Sequence, residues 1–376
     1  MAATFTGKVY KHFEDVTDPR VERITNHELI EMIFIALCAA ICDANTWADV
    51  ERFGKAKVDW LRKYIRLENG VPSHDTFSRV FARLDTSEFN AALQAWALDL
   101  AGCLRDQTVA VDGKTLRHSF DKAAEQAPLH SVTAWASGLK LCLGALAVDS
   151  KSNEIPAVQN LIELLDLRGS IVTADAMHCQ KQTCQGIIDR EADYILFVKG
   201  NQRKLLESIQ DLLFDAIDDK QLRAKMRTHS EEGRNRNRDE FRQTVTMPCP
   251  SDHPVFSAWP GIKTIGQVVR HREVDGKLSE ESAYFISSRG PQVRDMAKRL
   301  RSHWSIENSQ HHVLDVTFSE DASRIRKGNG PEISSIFRRL ALNILQQDSS
   351  IKDSIRGKRK RCGWDERTFD RLLQAF

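Results

Sequence analysis

The character of the chain changes once, near Gln107, and that change limits the folds open to it. Before it, apolar residues recur at three- and four-residue steps, the period of helices that bury one face. Helices are expected from an Asn26 N-cap through Cys42, from a Thr46 N-cap toward Phe53, from a Ser73 cap through Leu84, and from Ser87 to Ala101. Leu29–Cys42 is interrupted by Glu31 and falls short of the roughly 18 apolar residues of a membrane span, so it reads as a core helix. After Gln107, short apolar runs predict strands over Thr108–Asp112, His130–Ser137 and Leu141–Asp149, with a Ser137-Gly138 turn joining the last two as a hairpin. A helix over Ala157–Leu167, a strand ending at Asp175, a helix over Gln180–Arg190 and a strand over Tyr194–Val198 follow. The fold class is α/β behind an all-helical N-terminal domain.

Asp112 and Asp175 each end a predicted strand. In open α/β sheets the carboxyl ends of strands are where ligands bind. A third acid stands in a helix predicted over Gln292–Leu314, whose apolar face is Val293, Met296, Ala297, Leu300, Trp304, His311 and Leu314. Glu307 falls inside that stripe, and a carboxylate facing a core is costly unless paired, neutralised or bound to metal. Together the three acids supply hard oxygen ligands for Mg²⁺ or Mn²⁺, and a pair of such ions serves in-line displacement at a phosphodiester. Taken singly, each has a plainer reading: Asp112 and Asp175 begin turns, and Glu307 forms a structural ion pair. Asp149 also ends a strand, and Glu320 and Asp321 are expected to hold Arg324 or Arg326.

The separation of Asp175 from Glu307 exceeds what one strand and one helix require. The surplus, about residues 200–288, holds a helix over Lys204–Ile217, a polar run over Ser230–Asp239, and strands near Glu240–Thr246, Lys263–Arg270 and Ala283–Ile286. It reads as a β-rich insertion kept irregular in its middle by Pro248, Pro250, Pro254 and Pro260. The expected organisation is a helical domain over 1–105, a catalytic domain over 106–346 and a basic tail over 347–376.

The residues resemble a known family. The stretches Val109–Arg117, Lys151–Ile155, Thr173–Gln180, Tyr194–Gln202, His303–Asn308, Leu314–Val316 and Glu320–Asn329 match, in order, the DDE transposases of bacterial insertion sequences, in the H-repeat-associated branch. The resemblance implies an RNase-H-like catalytic fold, which the order of antiparallel strands followed by alternating helices and parallel strands also suggests. It places the metal-binding triad on Asp112, Asp175 and Glu307, holding two Mg²⁺ or Mn²⁺ ions, and it implies cleavage at element ends and strand transfer into target DNA. One departure stands out. Related transposases carry a Tyr-x2-Arg-x3-Glu-x6-Lys signature, and here those positions are Leu300, His303, Glu307 and Leu314. The DNA contacts of that Tyr, Arg and Lys do not transfer, which leaves Arg301, His303, His311 and His312 as candidates. Trp304 is either a core residue or a platform for an unstacked base.

Net charge is +2, too small to imply nucleic acid by itself. Its distribution is uneven: residues 1–105 hold 13 Lys/Arg against 15 Asp/Glu, while residues 289–376 hold 18 against 11. Lys358, Arg359, Lys360 and Arg361 are either a DNA-contacting arm or a solvated terminus. Lys114 and Arg117 are either phosphate contacts or solvated turn charges. The expected partner is double-stranded DNA, with a homo-oligomer assembled on it. Lys199–Lys204 lacks a phosphate-cradling glycine pattern, so ATP is not expected. Eight cysteines without a C-x-x-C pair suit a reduced cytoplasm, and neither a secretory leader nor a membrane span is read.

Overall fold

The computed structural model describes residues 4–20, 25–120, 127–148, 154–235, 238–274 and 277–376. Six helices come first: α1 (Phe5–Phe13), α2 (Leu29–Ile41), α3 (Trp47–Ala56), α4 (Val58–Leu61), α5 (His74–Phe81) and α6 (Thr86–Ala101). Their starts follow side-chain chemistry. Thr46 and Asp49 form a reciprocal capping box at α3, and Ser73 and Asp85 accept backbone N–H groups at the starts of α5 and α6. Asn26 does not cap α2, whose N-cap is Glu28. Helix α2 is apolar on every side and buried throughout. Its one acid, Glu31, accepts the Leu67 backbone N–H at 2.9 Å, which satisfies the buried charge.

The centre is one nine-stranded sheet. Strands β1 (Thr108–Thr115), β2 (His130–Ala136) and β3 (Leu141–Val148) precede α7 (Glu154–Leu164), β4 (Ile171–Ala174), α8 (Lys181–Asp189) and β5 (Asp193–Val198). After α9 (Arg203–Asp218) and α10 (Lys220–Lys225) come β6 (Arg227–Asn235), β7 (Arg238–Pro248), β8 (Thr264–Val274) and β9 (Lys277–Ser287). The spatial order is β3-β2-β1-β4-β5-β9-β8-β7-β6. β1 lies antiparallel to β2 and parallel to β4, β4 is parallel to β5, and every pair beyond β5 is antiparallel. The insertion therefore extends the central sheet through β5–β9 pairing. Its polar run over Ser230–Asp239 lies largely within the β6–β7 hairpin. Asp149 lies outside the described residues.

The last third is helical: α11 (Val293–His303), a π-helical turn (Glu307–His311), α12 (His312–Thr317), α13 (Gly330–Gln347), α14 (Ile355–Trp364) and α15 (Glu366–Gln374). The expected basic tail is thus two packed helices. The Trp60 and Phe369 rings stack at 4.6 Å, and Trp60 Nε1 donates to Asp370 at 2.7 Å. Helices α1–α6 and α13–α15 share one apolar core, in which Phe81 and Phe89 pack on Phe337. Among the described residues no helix is long and apolar enough to cross a membrane, and all eight cysteines are free.

Candidate active site at the carboxyl ends of the central strands

β1 and β4 run side by side in the same direction, with Val111 opposite Ala174. The next residues, Asp112 and Asp175, therefore emerge together on backbones about 4.8 Å apart. β1 continues through Thr115, so Asp112 begins no turn, whereas Asp175 leads into a single 3₁₀ turn over Ala176–His178.

A histidine from the following helical segment meets each aspartate. His303, buried at the end of α11, has Nδ1 3.0 Å from the Thr173 hydroxyl and Nε2 3.3 Å from Asp175 Oδ1. With the hydroxyl donating to Nδ1, Nε2–H faces the carboxylate. The hydrogen bond from His303 holds the Asp175 carboxyl below its ordinary pKa, against the opposing effect of burial. His311 Nε2 stands 3.3 Å from Asp112 Oδ2 without hydrogen-bond alignment, and both of its ring nitrogens are buried and unpartnered.

Glu307 lies midway between these histidines, and here the 3.6-residue periodicity fails. The predicted continuous helix is broken after His303, and Glu307–His311 is wound as a π turn, which accommodates an extra residue. The apolar residue at this point is Ile306, fully buried, while Glu307 is exposed. The expectation of a core-facing Glu307 is corrected: its backbone crosses the strand ends and its side chain faces the open side.

The donor set suits a divalent cation. Two hard carboxylates share one edge, each partly open to solvent, and an unpartnered imidazole stands beside one of them. Among the described residues no group of three or more His, Cys, Asp or Glu is arranged to hold a metal ion, so Glu307 is not gathered with Asp112 and Asp175 into one ligand set.

The cations expected near the site divide sharply. Lys114 is nearly buried and paired to Asp315 and to Glu320, the latter at 3.1 Å, so it ties β1 to the end of α12 instead of facing outward. Glu320 itself holds Lys114 and Arg339, the latter at 3.0 Å, not Arg324 or Arg326. Its carboxyl is buried, which alone would raise its pKa, but Arg339, Lys114 and Arg338 bring it down to about 2. Arg117 is 80% exposed, 3.7 Å from Asp321. Arg301 is exposed and paired with Glu231 at 3.3 Å. His303 is committed to Asp175 and Thr173, so its expected role at DNA is corrected to one within the site.

Lys358 and Arg359 are corrected too. Lys358 donates to Leu345 O at 2.9 Å and pairs with Asp348 at 3.0 Å. Arg359 donates to Ala40 O at 2.9 Å and lies over the Phe318 ring at 3.9 Å, and burial lowers its pKa to about 10. These two cations close helix-end carbonyls inside the fold. Lys360 is half-buried and Arg361 is exposed. Trp304 is half-buried; it lines a cavity between α11 and strands β6–β9, with Phe197 behind it and the Arg270 guanidinium 5.5 Å from its ring.

Sequence reasoning did not single out a second polar group beside the aspartates, made by Glu154, His130 and His178. The one available signal was His178, three residues after Asp175; Glu154 lies 24 residues from each of the two histidines.

Residues 104–344 match the family described as Transposase DDE domain, and residues 10–97 match the family described as DDE_Tnp_1-associated. The putative transposase YncI of Escherichia coli O157:H7 is 35% identical over 367 residues, covering 96% of this chain and 93% of its own length. The H repeat-associated putative transposase YhhI of Escherichia coli strain K12 is 32% identical over 364 residues, covering 95% of each. With adjacent aspartates at the ends of parallel strands and both family matches in register with the helical and mixed regions, the chain belongs to the DDE transposases and is a DDE-type transposase enzyme.

Proposed function

We propose that this transposase binds double-stranded DNA at the terminal inverted repeats of an insertion sequence, cuts there with divalent metal, and joins the freed 3′-hydroxyl to target DNA. The observation that carries this reading is the pairing of Asp112 and Asp175 on neighbouring parallel strands, with the Glu307 segment laid across them by His303 and His311. Strands β1–β5 with their helices are then an RNase-H-like core, and β6–β9 an inserted extension of its sheet.

Asp112, Asp175 and Glu307 would hold Mg²⁺ or Mn²⁺, two ions in all. Bound there, such ions lower the pKa of an attacking water or hydroxyl and stabilise the departing 3′-oxygen. The chain's own groups do the rest. His303, fixed by Thr173, orients the Asp175 carboxylate. Glu307 is exposed to solvent on its π turn, where a phosphodiester and its cation could reach it. Arg117, Arg301, Lys360 and Arg361 are the cations left outside the core to meet phosphates. Trp304, in its cavity beside α11, is placed to receive a base unstacked next to the cut. The protein acts as a homo-oligomer on DNA in the bacterial cytoplasm, at the nucleoid.

Alanine at Asp112, Asp175 or Glu307 is expected to abolish Mg²⁺-dependent cleavage of terminal-repeat DNA while binding, measured by gel shift in EDTA, persists. A variant that still cuts at near wild-type rate would remove that residue from the ligand set. A pre-cut terminal substrate should give strand-transfer product; hydrolysis without joining would reduce the activity to that of a nuclease.

A further inference from the structure

Glu154, the first residue of α7, is 4% exposed, and both of its carboxylate oxygens are taken by histidines. His130 Nε2 lies 2.7 Å from Oε2, and His178 Nε2 lies 3.1 Å from Oε1. His130 opens β2, opposite Thr115 of β1, and its Nδ1 is 2.7 Å from the Thr115 hydroxyl. His178 closes the turn that Asp175 begins; among the described residues its Nδ1 is buried without a hydrogen-bond partner, so Glu154 is the hydrogen-bond anchor of that ring. On its remaining side the carboxylate packs against bare backbone. A Cβ added to Gly113 would lie 2.6 Å from Glu154 Cδ, closer than real contacts allow. One buried carboxylate therefore touches the residue after Asp112 and the turn after Asp175.

We propose that Glu154 is a positioning residue, an anionic brace that sets the spacing of the Asp112 and Asp175 carboxylates for their cation. The proposal rests on the reading of those two aspartates as ligands. The charge is required as well as the shape. A carboxylate accepts from two imidazole N–H groups at once. A glutamine offers one oxygen and turns its amide N–H₂ toward the second histidine, so either His130 or His178 loses its partner and the strand end it belongs to loses its anchor. Gly113 completes the arrangement, because any side chain there would push Glu154 off the β1 backbone.

The test measures Mn²⁺ binding to the protein–DNA complex by electron paramagnetic resonance, alongside DNA affinity and melting temperature without metal. Glu154→Gln is expected to bind DNA as wild type does, and to weaken Mn²⁺ about tenfold or more, the usual scale for a group behind a metal ligand. Gly113→Ala should weaken Mn²⁺ in the same way, because its methyl meets the glutamate. Shortening that side chain removes the collision, so Gly113→Ala combined with Glu154→Asp should bind Mn²⁺ no worse than Glu154→Asp alone. Wild-type Mn²⁺ affinity in Glu154→Gln overturns the proposal. If that variant fails to fold, the Gly113/Glu154 cycle decides: losses that multiply independently overturn it too. Asp112→Ala, measured in parallel, separates the layers, since undiminished Mn²⁺ affinity there would remove the ligand reading itself and the brace with it.

Discussion

The two halves of the nine-stranded sheet are built on opposite principles. β1–β5 are covered by helices, and almost every side chain in β2, β4 and β5 is buried. β6–β9 reach away from that cover, and their outer portions are laced by surface ion pairs, Arg270 with Glu281 and both Arg242 and Arg272 with Glu240. The covered half can hold charged groups in fixed positions because each must find a partner or destabilise the fold. The open half tolerates change in any one charge, since solvent screens it. Asp112 and Asp175, the ligands of the proposed site, stand on the covered half, and the open half supplies one wall of the Trp304 cavity.

The contrast can be broken first at Glu320. Glu320→Ala leaves the fully buried Arg339 without its counter-ion and is expected to cost about 3–5 kcal/mol, read from urea denaturation. Its folded pKa of about 2 lies below the ordinary 4.5, so its contribution is complete above pH 4.5 and lost as pH falls toward 2. Glu320→Gln should therefore flatten the acid limb of the stability profile, and an unchanged limb would count against the network.

Trp304 tests the seam between the halves. A fully buried tryptophan truncated to alanine loses about 3–5 kcal/mol; half-buried Trp304 should lose less, with cleavage of intact duplex ends falling further than stability does. A mismatch or abasic position beside the cut should restore the activity. A stable Trp304→Ala protein with wild-type cleavage would leave the cavity without a role.

The two kinds of basic residue in α14 come next. Neutralising Lys360 and Arg361 should lower the slope of log affinity against log salt by up to about 0.9 for each phosphate whose charge they had offset. Neutralising Lys358 and Arg359 should lower the melting temperature instead. A flattened salt slope from the second pair would reverse the assignment. The smallest effect belongs to the open half: Glu280→Ala, at a side chain 63% exposed beside His271, should cost no more than about 1 kcal/mol, judged by denaturation alone.

These same contrasts decide what could be read from sequence. The cores of β1 and β4 were legible because buried strands are short apolar runs, although β1 continues past Asp112 to Thr115. Thr46 and Ser73 were legible because caps act within three residues. β6 was not, because Arg227–Asn235 is polar on both faces and owes its strand to ladder hydrogen bonds with β7. The orientation of Glu307 was lost because periodicity assumes an unbroken α-helix, and one π turn resets the phase. Lys358 and Arg359 looked like solvated charge because their acceptors, the carbonyls of Leu345 and Ala40, leave no trace in side-chain patterns. The Glu154 brace escaped notice because its members meet only through the fold.

The stacking of Trp60 on Phe369 has a consequence in time. The partner that closes the N-terminal core, Asp370 together with its neighbour Phe369, is synthesised 310 residues after Trp60. At about 5–20 residues per second that is a wait of roughly 15–60 s, during which the first helices present an unfinished apolar surface. Until α15 is made, Trp60 lacks both the ring that stacks on it and the carboxylate that accepts its N–H, so this part of the shared core stays uncovered.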